Sequence, residues 1–495
     1  MNYLDLARLA AAEILLVVTA LVVLSVDLGL RQCDDLARRT RWAVALGVAG
    51  CVSAVVILWE LVPEGAMPAG MFASDALTRG VKAGVLLLTA GSLLLSRGIR
   101  FTPHVGEYVA TVILGAVGML LIVSSENVLI LFLALELASL CLYILTGFDK
   151  RSAQGTEAAL KYFLFGGMAG AVLLFGLSLV YGATGAIEFG KIAQGVAESG
   201  VSPVLLMGLV MVMVGLGFKV ASAPFHFWAP DAYQAAPTPA AGFIAAGSKV
   251  ASFFILAKLA ESAFGPAMGS SAWGRFAPGW SPVLATMAAM SMVWGNLAAL
   301  MQTNVKRLLA YSAVAHAGYT LVAIAAGGPE GLSAVTFYAV TYAITTLGAF
   351  GVVGLVESAT GGAELDHFAG LVKRSPRLAV CLGIFVLSLA GIPPLAGFFG
   401  KFYLFLVALD GSVGSLGLLW LVALGAATTC VSFYYYLVLL KKVFVEDAVM
   451  PERAAPGTGV ESAVVWASTI LVVLLGCFPG WILTPLRSAL MAVGW

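Results

Sequence analysis

The sequence predicts an all-α, polytopic membrane protein of about fourteen transmembrane helices. Three observations carry this. Of 495 residues, 61% are hydrophobic and only 11% charged, with a mean hydropathy of +0.99. A soluble domain keeps its surface wet with roughly 25% charged residues, so most of the outer surface here matches lipid. Apolar runs of about 20 residues, enough to cross ~30 Å of hydrocarbon as helix, recur from end to end. Finally, runs such as Val204–Val214 lack the apolar–polar alternation that marks barrel strands. Inside hydrocarbon only helices and closed barrels satisfy their own backbone, which leaves helices.

Polar or Pro/Gly breaks separate the spans in order. The first segment, 9–30, carries Glu13 and Asp27 and has no Ala-x-Ala site after it, so it reads as a span and not as a cleaved leader. Segments 41–62 and 75–95 complete an N-terminal group, residues 1–106. Segments 107–124, 126–147, 156–184, 202–228 and 237–261 form the next group, 107–261. Segments 282–301, 305–327, 332–357, 376–409 and 413–440 fill 282–445, and 460–485 is the last span.

Charge tests the count, because short cytoplasmic loops collect Lys and Arg. With fourteen spans, alternate loops on one side hold 16 cations: Arg31, Arg38, Arg39, Arg41, Arg97, Arg100, Lys150, Arg151, Lys306, Arg307, Lys373, Arg374, Arg377, Lys441, Lys442 and Arg453. The other side, with both termini, holds Arg8, Lys191, Arg275 and Arg487. One miscounted span would spoil this contrast. It predicts a multi-pass membrane protein with both termini outside the cytoplasm.

Seven cations remain within spans: Arg79, Lys82, Lys161, Lys219, Lys249, Lys258 and Lys401. A cation at mid-membrane costs at least ~2.5–3.5 kcal/mol, so it is kept mainly where it meets a partner or a water path. Arg79, Lys82 and Lys258 lie near span ends and are expected to snorkel to the interface. Lys219 and Lys249 are deep. Lys161 follows Glu157 by four residues, so a local ion pair competes with a transport role. Glu136 stands near the centre of 126–147 with no snorkelling route. A buried lysine is driven toward its neutral form by desolvation, and a nearby carboxylate opposes this. A Glu–Lys pair of variable separation is therefore a proton switch that needs no cofactor.

The seventh segment contains Lys219-Val-Ala-Ser-Ala-Pro224-Phe-His226, and the twelfth Gly391-Ile-Pro393-Pro394-Leu-Ala-Gly397-Phe-Phe-Gly400-Lys401. Proline removes a helical hydrogen bond at membrane depth, and the freed groups must meet water or polar partners. Two such breaks predict two inverted five-helix repeats, helices 4–8 and 9–13, each with a broken fourth helix. Glu136 and His316 stand at the middle of each repeat's second helix. His316 is assigned a relay role, and His226 is placed in or at the mouth of a cavity.

Other chemistries find no support. A net charge of +1 points to no nucleic-acid partner. The six cysteines (Cys33, Cys51, Cys141, Cys381, Cys430 and Cys477) form no Cys-x-x-Cys pair for zinc or an iron–sulfur cluster. Neither a phosphate-binding loop nor a dinucleotide fingerprint is present.

The stretches Pro224-Phe-His-Phe-Trp-Ala-Pro-Asp-Ala-Tyr-Gln-Ala-Ala-Pro237, Lys306-Arg-Leu-Leu-Ala-Tyr-Ser-Ala-Val-Ala-His-Ala-Gly-Tyr319 and Gly397-Phe-Phe-Gly-Lys-Phe-Tyr403 resemble the antiporter-like subunits of NADH:quinone oxidoreductase, the respiratory complex I family. Lysine after Gly-Phe-Phe-Gly makes the chain most similar to subunit N, and its length argues against subunit L. Ala235-Ala236 departs from the family's usual glycine before alanine. The resemblance implies a proton-translocating subunit, a translocase component without a redox site of its own. Glu136 would be the helix-5 carboxylate paired with Lys219, Lys249 the central relay lysine, and Lys401 the lysine leading to the exit. FMN, iron–sulfur clusters and quinone would belong to partner subunits, peripheral and membrane-embedded. The alternative is a subunit of a multi-chain sodium/proton antiporter of the same helix plan.

Overall fold

The computed structural model describes residues 7–31, 35–62, 65–66, 70–98, 101–410, 416–448 and 459–492. Cys33, Arg100 and Arg453 lie outside the described residues. Among those described, twelve helices are long and apolar enough to cross a membrane, and three apolar helices are shorter. Every expected segment has its helix. These are α1 (Ala11–Leu30), α2 (Leu36–Glu60), α3 (Ala76–Leu95), α4 (Val105–Ser124), α5 (Val128–Thr146) and α6 (Ala153–Thr184). There follow α7 (Pro203–Lys219), α8 (Thr238–Ser262), α9 (Trp280–Leu300), α10 (Val305–Ala326) and α11 (Gly328–Thr360). The twelfth is split into α12a (Pro376–Ala390) and α12b (Ala396–Asp410), before α13 (Leu419–Phe444) and α14 (Val460–Cys477).

Beyond shifts of a few residues at helix ends, two of the sequence-based segments end early. Segment 202–228 is helical only to Lys219, and a separate short helix, Trp228–Ala235, follows the Pro224 break. Segment 460–485 stops at Cys477, because Pro479 cannot continue the hydrogen-bond ladder, and a second helix runs Gly480–Ala492. The hydropathy count also passed over a short amphipathic helix, Phe189–Ser199, which buries Phe189, Ile192 and Val196.

The helices form two compact units. The first is Met1–Leu216 with Ala235–Met268 and Ser488–Trp495; the second is Gly217–Gln234 with Gly269–Arg487. The division cuts the seventh span just before Lys219 instead of falling between the two expected repeats.

Burial grades the helices by position. The apolar window of α8 is 100% buried and that of α10 94%, against 33% for α6 and α13. The outer faces carry Leu133, Phe163, Leu164, Met168, Phe175 and Tyr434 bare, a surface suited to lipid tails. Helices cannot be driven together by apolar burial in lipid, so close backbone packing must do it. In the second unit α9 crosses α10 at two glycines. A Cβ on Gly295 would fall 2.5 Å from the Ala315 nitrogen, and one on Gly318 2.7 Å from that of Met292.

Corresponding caps open α5 and α10. The Asn127 side chain accepts from the Leu129 amide, and Asn304 accepts from those of Lys306 and Arg307. Asn127 also bridges to Glu188 and Asn304 to Glu364.

The expected snorkelling of Arg79, Lys82 and Lys258 is not what the fold shows. All three are buried, because each finds a partner inside. Lys82 Nζ lies 2.6 Å from Glu13 Oε1, joining α3 to α1. Lys258 Nζ lies 2.6 Å from Glu126 Oε1. Arg79 donates to the Val62 carbonyl (2.6 Å) and to Ser74 Oγ (3.2 Å). A fourth tie is bidentate: Arg39 Nε and Nη2 each donate to an Asp27 oxygen at 2.8 Å.

Removing one partner of a buried pair strands the other charge, at a cost of about 3–5 kcal/mol. Lys82→Met alone is therefore expected to lower the thermal unfolding temperature in detergent. The double variant Glu13→Leu/Lys82→Met is expected to recover most of the loss. A double variant as unstable as the single one would contradict this account of the pair.

Candidate functional site

The first unit holds Glu136, Lys161 and Lys249. Glu136 sits near the middle of α5, and its Oε1 lies above Gly170 of α6; a Cβ there would come within 2.9 Å of it. Glycine at this point keeps room for the carboxylate. Lys249 occupies the middle of α8 and is 1% exposed. Lys161 differs from both. Its side chain is 44% exposed, and its Nζ lies 2.7 Å from Glu157 Oε1, the local i, i+4 pair.

The second unit holds Lys219, His226, His316 and Lys401. Lys219 is buried and is the last residue of α7. Just beyond it, Ala221 adopts φ 54, the one positive φ of a non-glycine among the described residues. Ala235 and Ala236 need no such conformation, so alanine fits where the family usually has glycine. The groups freed by the break are met by side chains. Trp228 Nε1 donates to the Phe218 carbonyl (2.9 Å), Ser222 Oγ to that of Gly217 (3.0 Å), and the Ala223 amide to Ser291 Oγ (2.7 Å).

Lys401 occupies the matching place at the other break by a different route. It belongs to α12b, yet its Nζ reaches back to donate to the carbonyls of Leu389 (2.9 Å) and Ala390 (3.3 Å). These are the unsatisfied carbonyls at the C-terminus of α12a, which ends at left-handed Gly391. The Gly397 amide is taken up by Ser388 Oγ at 3.1 Å. Lys219 and the Lys401 ammonium thus each lie at the C-terminal end of an interrupted helix, where the helix dipole places about half a negative charge.

His316 lies at the centre of an aromatic network. Its Nδ1 bonds the Tyr338 hydroxyl, and its Nε2 the Tyr436 hydroxyl at 3.2 Å. Tyr436 also bonds Ser312 Oγ at 2.5 Å. The Tyr319 ring links His316 to Lys401: its centroid is 5.6 Å from the imidazole and 4.9 Å from Lys401 Nζ. Asn296 Nδ2 donates to the Tyr319 hydroxyl (3.0 Å), and Tyr435 donates to Asn296 Oδ1 (3.1 Å). None of these tyrosines was singled out from the sequence. The available signal was Tyr338 and Tyr342 at helical spacing, together with the run Tyr434-Tyr435-Tyr436.

His226 is buried against Phe227, Trp294 and Tyr311, and neither ring nitrogen has a protein partner. Nearby, Arg307 Nη1 donates to Asp231 Oδ1 (2.6 Å) and Gln234 Oε1 (3.1 Å). Lys306 is buried on Glu357 at 3.1 Å. Among the described residues no group of three His, Cys, Asp or Glu side chains is placed to hold a metal ion.

Fold and site together define a polytopic α-helical membrane protein with lysines seated on interrupted helices. The family described as NADH:quinone oxidoreductase/Mrp antiporter, transmembrane, matches residues 125–432, and the chain belongs to it. NADH-quinone oxidoreductase subunit N 2 of Acidobacterium capsulatum is 46% identical over 98% of this chain and 99% of its own length. Subunit N of Desulforamulus reducens is 39% identical over 88% of each. A chain in the structure of respiratory complex I from Thermus thermophilus with bound aureothin is 35% identical, with a TM-score of 0.77 over 95% of this chain and 98% of that one. A chain of the Mrp complex from a Dietzia species has a TM-score of 0.81 at 21% identity, covering 99% of this chain and 97% of its own; that likeness is one of fold.

Tyr436→Phe would take from Ser312 Oγ and His316 Nε2 the buried hydroxyl they share, at about 1–3 kcal/mol. The expected result is a lower unfolding temperature. Tyr434→Phe, at a ring 64% exposed on the outer face, is expected to leave that temperature unchanged. Equal effects of the two would show that the network contributes nothing.

Proposed function

We propose that this chain is a proton-translocating membrane subunit of a bacterial respiratory NADH:quinone oxidoreductase, working with the membrane and peripheral subunits of that complex. The observation that carries the reading is the seating of Lys401 on the carbonyl end of α12a, together with 46% and 35% identity to subunit N and complex I chains. An ammonium seated on carbonyl dipoles and a ring face has no fixed carboxylate among these contacts. Its proton can therefore be handed on when a neighbouring charge changes.

In this reading protons move by way of Glu136, Lys219, Lys249 and Lys401. His316 and His226 serve as further stations, and Lys161 stands aside on its local pair. Quinone reduction takes place in partner subunits, which carry the FMN, iron–sulfur and quinone chemistry. Moving one charge against 100 mV takes ~2.3 kcal/mol, so those partners must supply the energy. The cation asymmetry supports both termini lying outside the cytoplasm. The matching caps at Asn127 and Asn304 support reading helices 4–8 and 9–13 as repeats. A chain of the Mrp complex shares the fold, and a sodium/proton antiporter subunit is the alternative, but the higher identities favour the respiratory reading.

Lys219→Ala and Lys249→Met, made in the intact complex, are each expected to lower proton pumping severalfold. Lys161→Ala should change it little. The measurement is acidification or dye quenching in membrane vesicles during quinone reduction. Wild-type pumping by both deep-lysine variants would refute the reading.

A further inference from the structure

The cation-rich side of the first unit gathers charges of two kinds. Some are paired within the fold. Buried Asp27 holds Arg39 through two hydrogen bonds, Arg31 reaches both Glu107 and Asp27, and His104 Nδ1 lies 3.3 Å from Glu107 Oε1. Asp35 caps α2 by accepting from the Arg38 amide at 3.0 Å. The side chains of Arg38 and Arg41 stand apart from these pairs. Both are exposed on α2, and neither meets a carboxylate among the described residues. The Arg41 guanidinium makes one long bond, of 3.4 Å, to the Ala37 carbonyl a turn back. A further exposed arginine, Arg97, stands on the turn Ser96–Gly98, which packs against α2.

This sorting follows the faces of α2. Arg39 turns toward α1, whereas Arg38, Arg41 and Trp42 lead into a stripe of exposed residues. Ala45, Ala49, Val52, Val56 and Trp59 continue it at spacings of three or four, hence on one face. Trp42 is 51% exposed and Trp59 52%. At 1.5 Å per residue the two indoles stand about 25 Å apart along the axis, close to the ~30 Å of the hydrocarbon layer. Indole rings collect at the two headgroup levels of a bilayer. The stripe therefore has the pattern of a lipid-covered face, and Trp42 marks the headgroup depth of the cation-rich leaflet. Arg41 adjoins Trp42 and Arg38 lies one turn nearer to water. Both guanidinium groups thus come to the level of the lipid phosphates.

We propose that Arg38, Arg41 and Trp42 form a binding site for an anionic phospholipid of the cytoplasmic leaflet, whose acyl chains lie along residues 45–56 of α2. The inference does not depend on proton transport by this chain. Guanidinium groups grip phosphate through paired N–H donors. Two of them on one face, with Cβ atoms ~5–6 Å apart, can converge on a single headgroup. The fold supplies an anion to Arg39 and Arg31 but none to Arg38 and Arg41, so the lipid supplies theirs. Arg97, on the turn beside α2, adds to the attraction. Cytoplasmic leaflets carry anionic lipid, which such groups draw out of the neutral background. Below the phosphate, the methyl groups of Ala45 and Ala49 leave room for a chain, and Val52 and Val56 extend its apolar track.

The test places the tagged chain, with every subunit that co-purifies, in phosphatidylcholine nanodiscs. A tracer lipid carries a photoreactive diazirine high on one acyl chain, on phosphatidylglycerol in one set and on phosphatidylcholine in the other. Illumination and mass spectrometry then map the lipid adducts. The expected result is labelling of α2 between residues 42 and 52, severalfold stronger from phosphatidylglycerol. Arg38→Gln/Arg41→Gln should bring that yield down to the phosphatidylcholine level. Arg377→Gln, at an exposed arginine in the first turn of α12a, should leave it unchanged. Equal wild-type yields from the two lipids would mean ordinary boundary lipid and overturn the site without any variant. So would a stretch free of both adducts, which a protein subunit must then cover, or a double variant that keeps the wild-type preference. Should the double variant fail to assemble, Arg41→Gln alone is expected to lower the preference part of the way, and an undiminished preference overturns the role of the arginines. Inorganic phosphate, set against chloride of equal ionic strength, is expected to leave the labelling unchanged. Competition by phosphate would assign the arginines to a free anion and overturn the lipid.

Discussion

The structure depends on how an ammonium is held at membrane depth without being neutralised by a permanent partner. A fixed carboxylate would lock the charge in place, and bare hydrocarbon would expel the proton. The interrupted helix provides an intermediate. Its last carbonyls have no intrahelical donors, and their aligned dipoles present about half a negative charge. Lys401 takes this place by reaching back from α12b to Leu389 and Ala390. Lys219 stands at the other break as the last residue of α7.

Charges that only hold the fold are treated differently. Lys82 with Glu13, Lys258 with Glu126 and Arg39 with Asp27 all meet a carboxylate at hydrogen-bond distance. Such pairs tie one helix or loop to another and resist separation, because parting them would leave a charge stranded in a medium that solvates it poorly. The chain therefore uses two kinds of cation site. Carboxylate-bound cations fasten helices, whereas the Lys401 ammonium is seated on the carbonyls at the end of α12a.

Much of this was legible in the sequence. Hydropathy and charge asymmetry located every span, since lipid constrains composition more tightly than water does. Pro224 and Pro393-Pro394 located the breaks, because proline acts locally. Glu136, Lys219, Lys249 and Lys401 stood out because an intramembrane charge is costly wherever it lies. What could not be read was pairing across sequence distance. Glu13 and Lys82 are 69 residues apart, and nothing local says that α1 meets α3. The tyrosines around His316 escaped notice for a related reason. A tyrosine is unremarkable in an apolar helix until α10, α11 and α13 bring Tyr319, Tyr338 and Tyr436 onto one imidazole.

Whether the chain acts as a subunit of a redox-driven complex is settled most directly by what it is bound to. The decisive measurement is gentle detergent extraction of the tagged chain from its native membrane, with mass spectrometry of all co-purifying proteins and a quinone reductase assay on the same fraction. Flavin and iron–sulfur subunits together with NADH:quinone activity are the predicted result. Recovery of small membrane subunits alone, with no redox protein and no activity, would contradict the account and favour an ion antiporter.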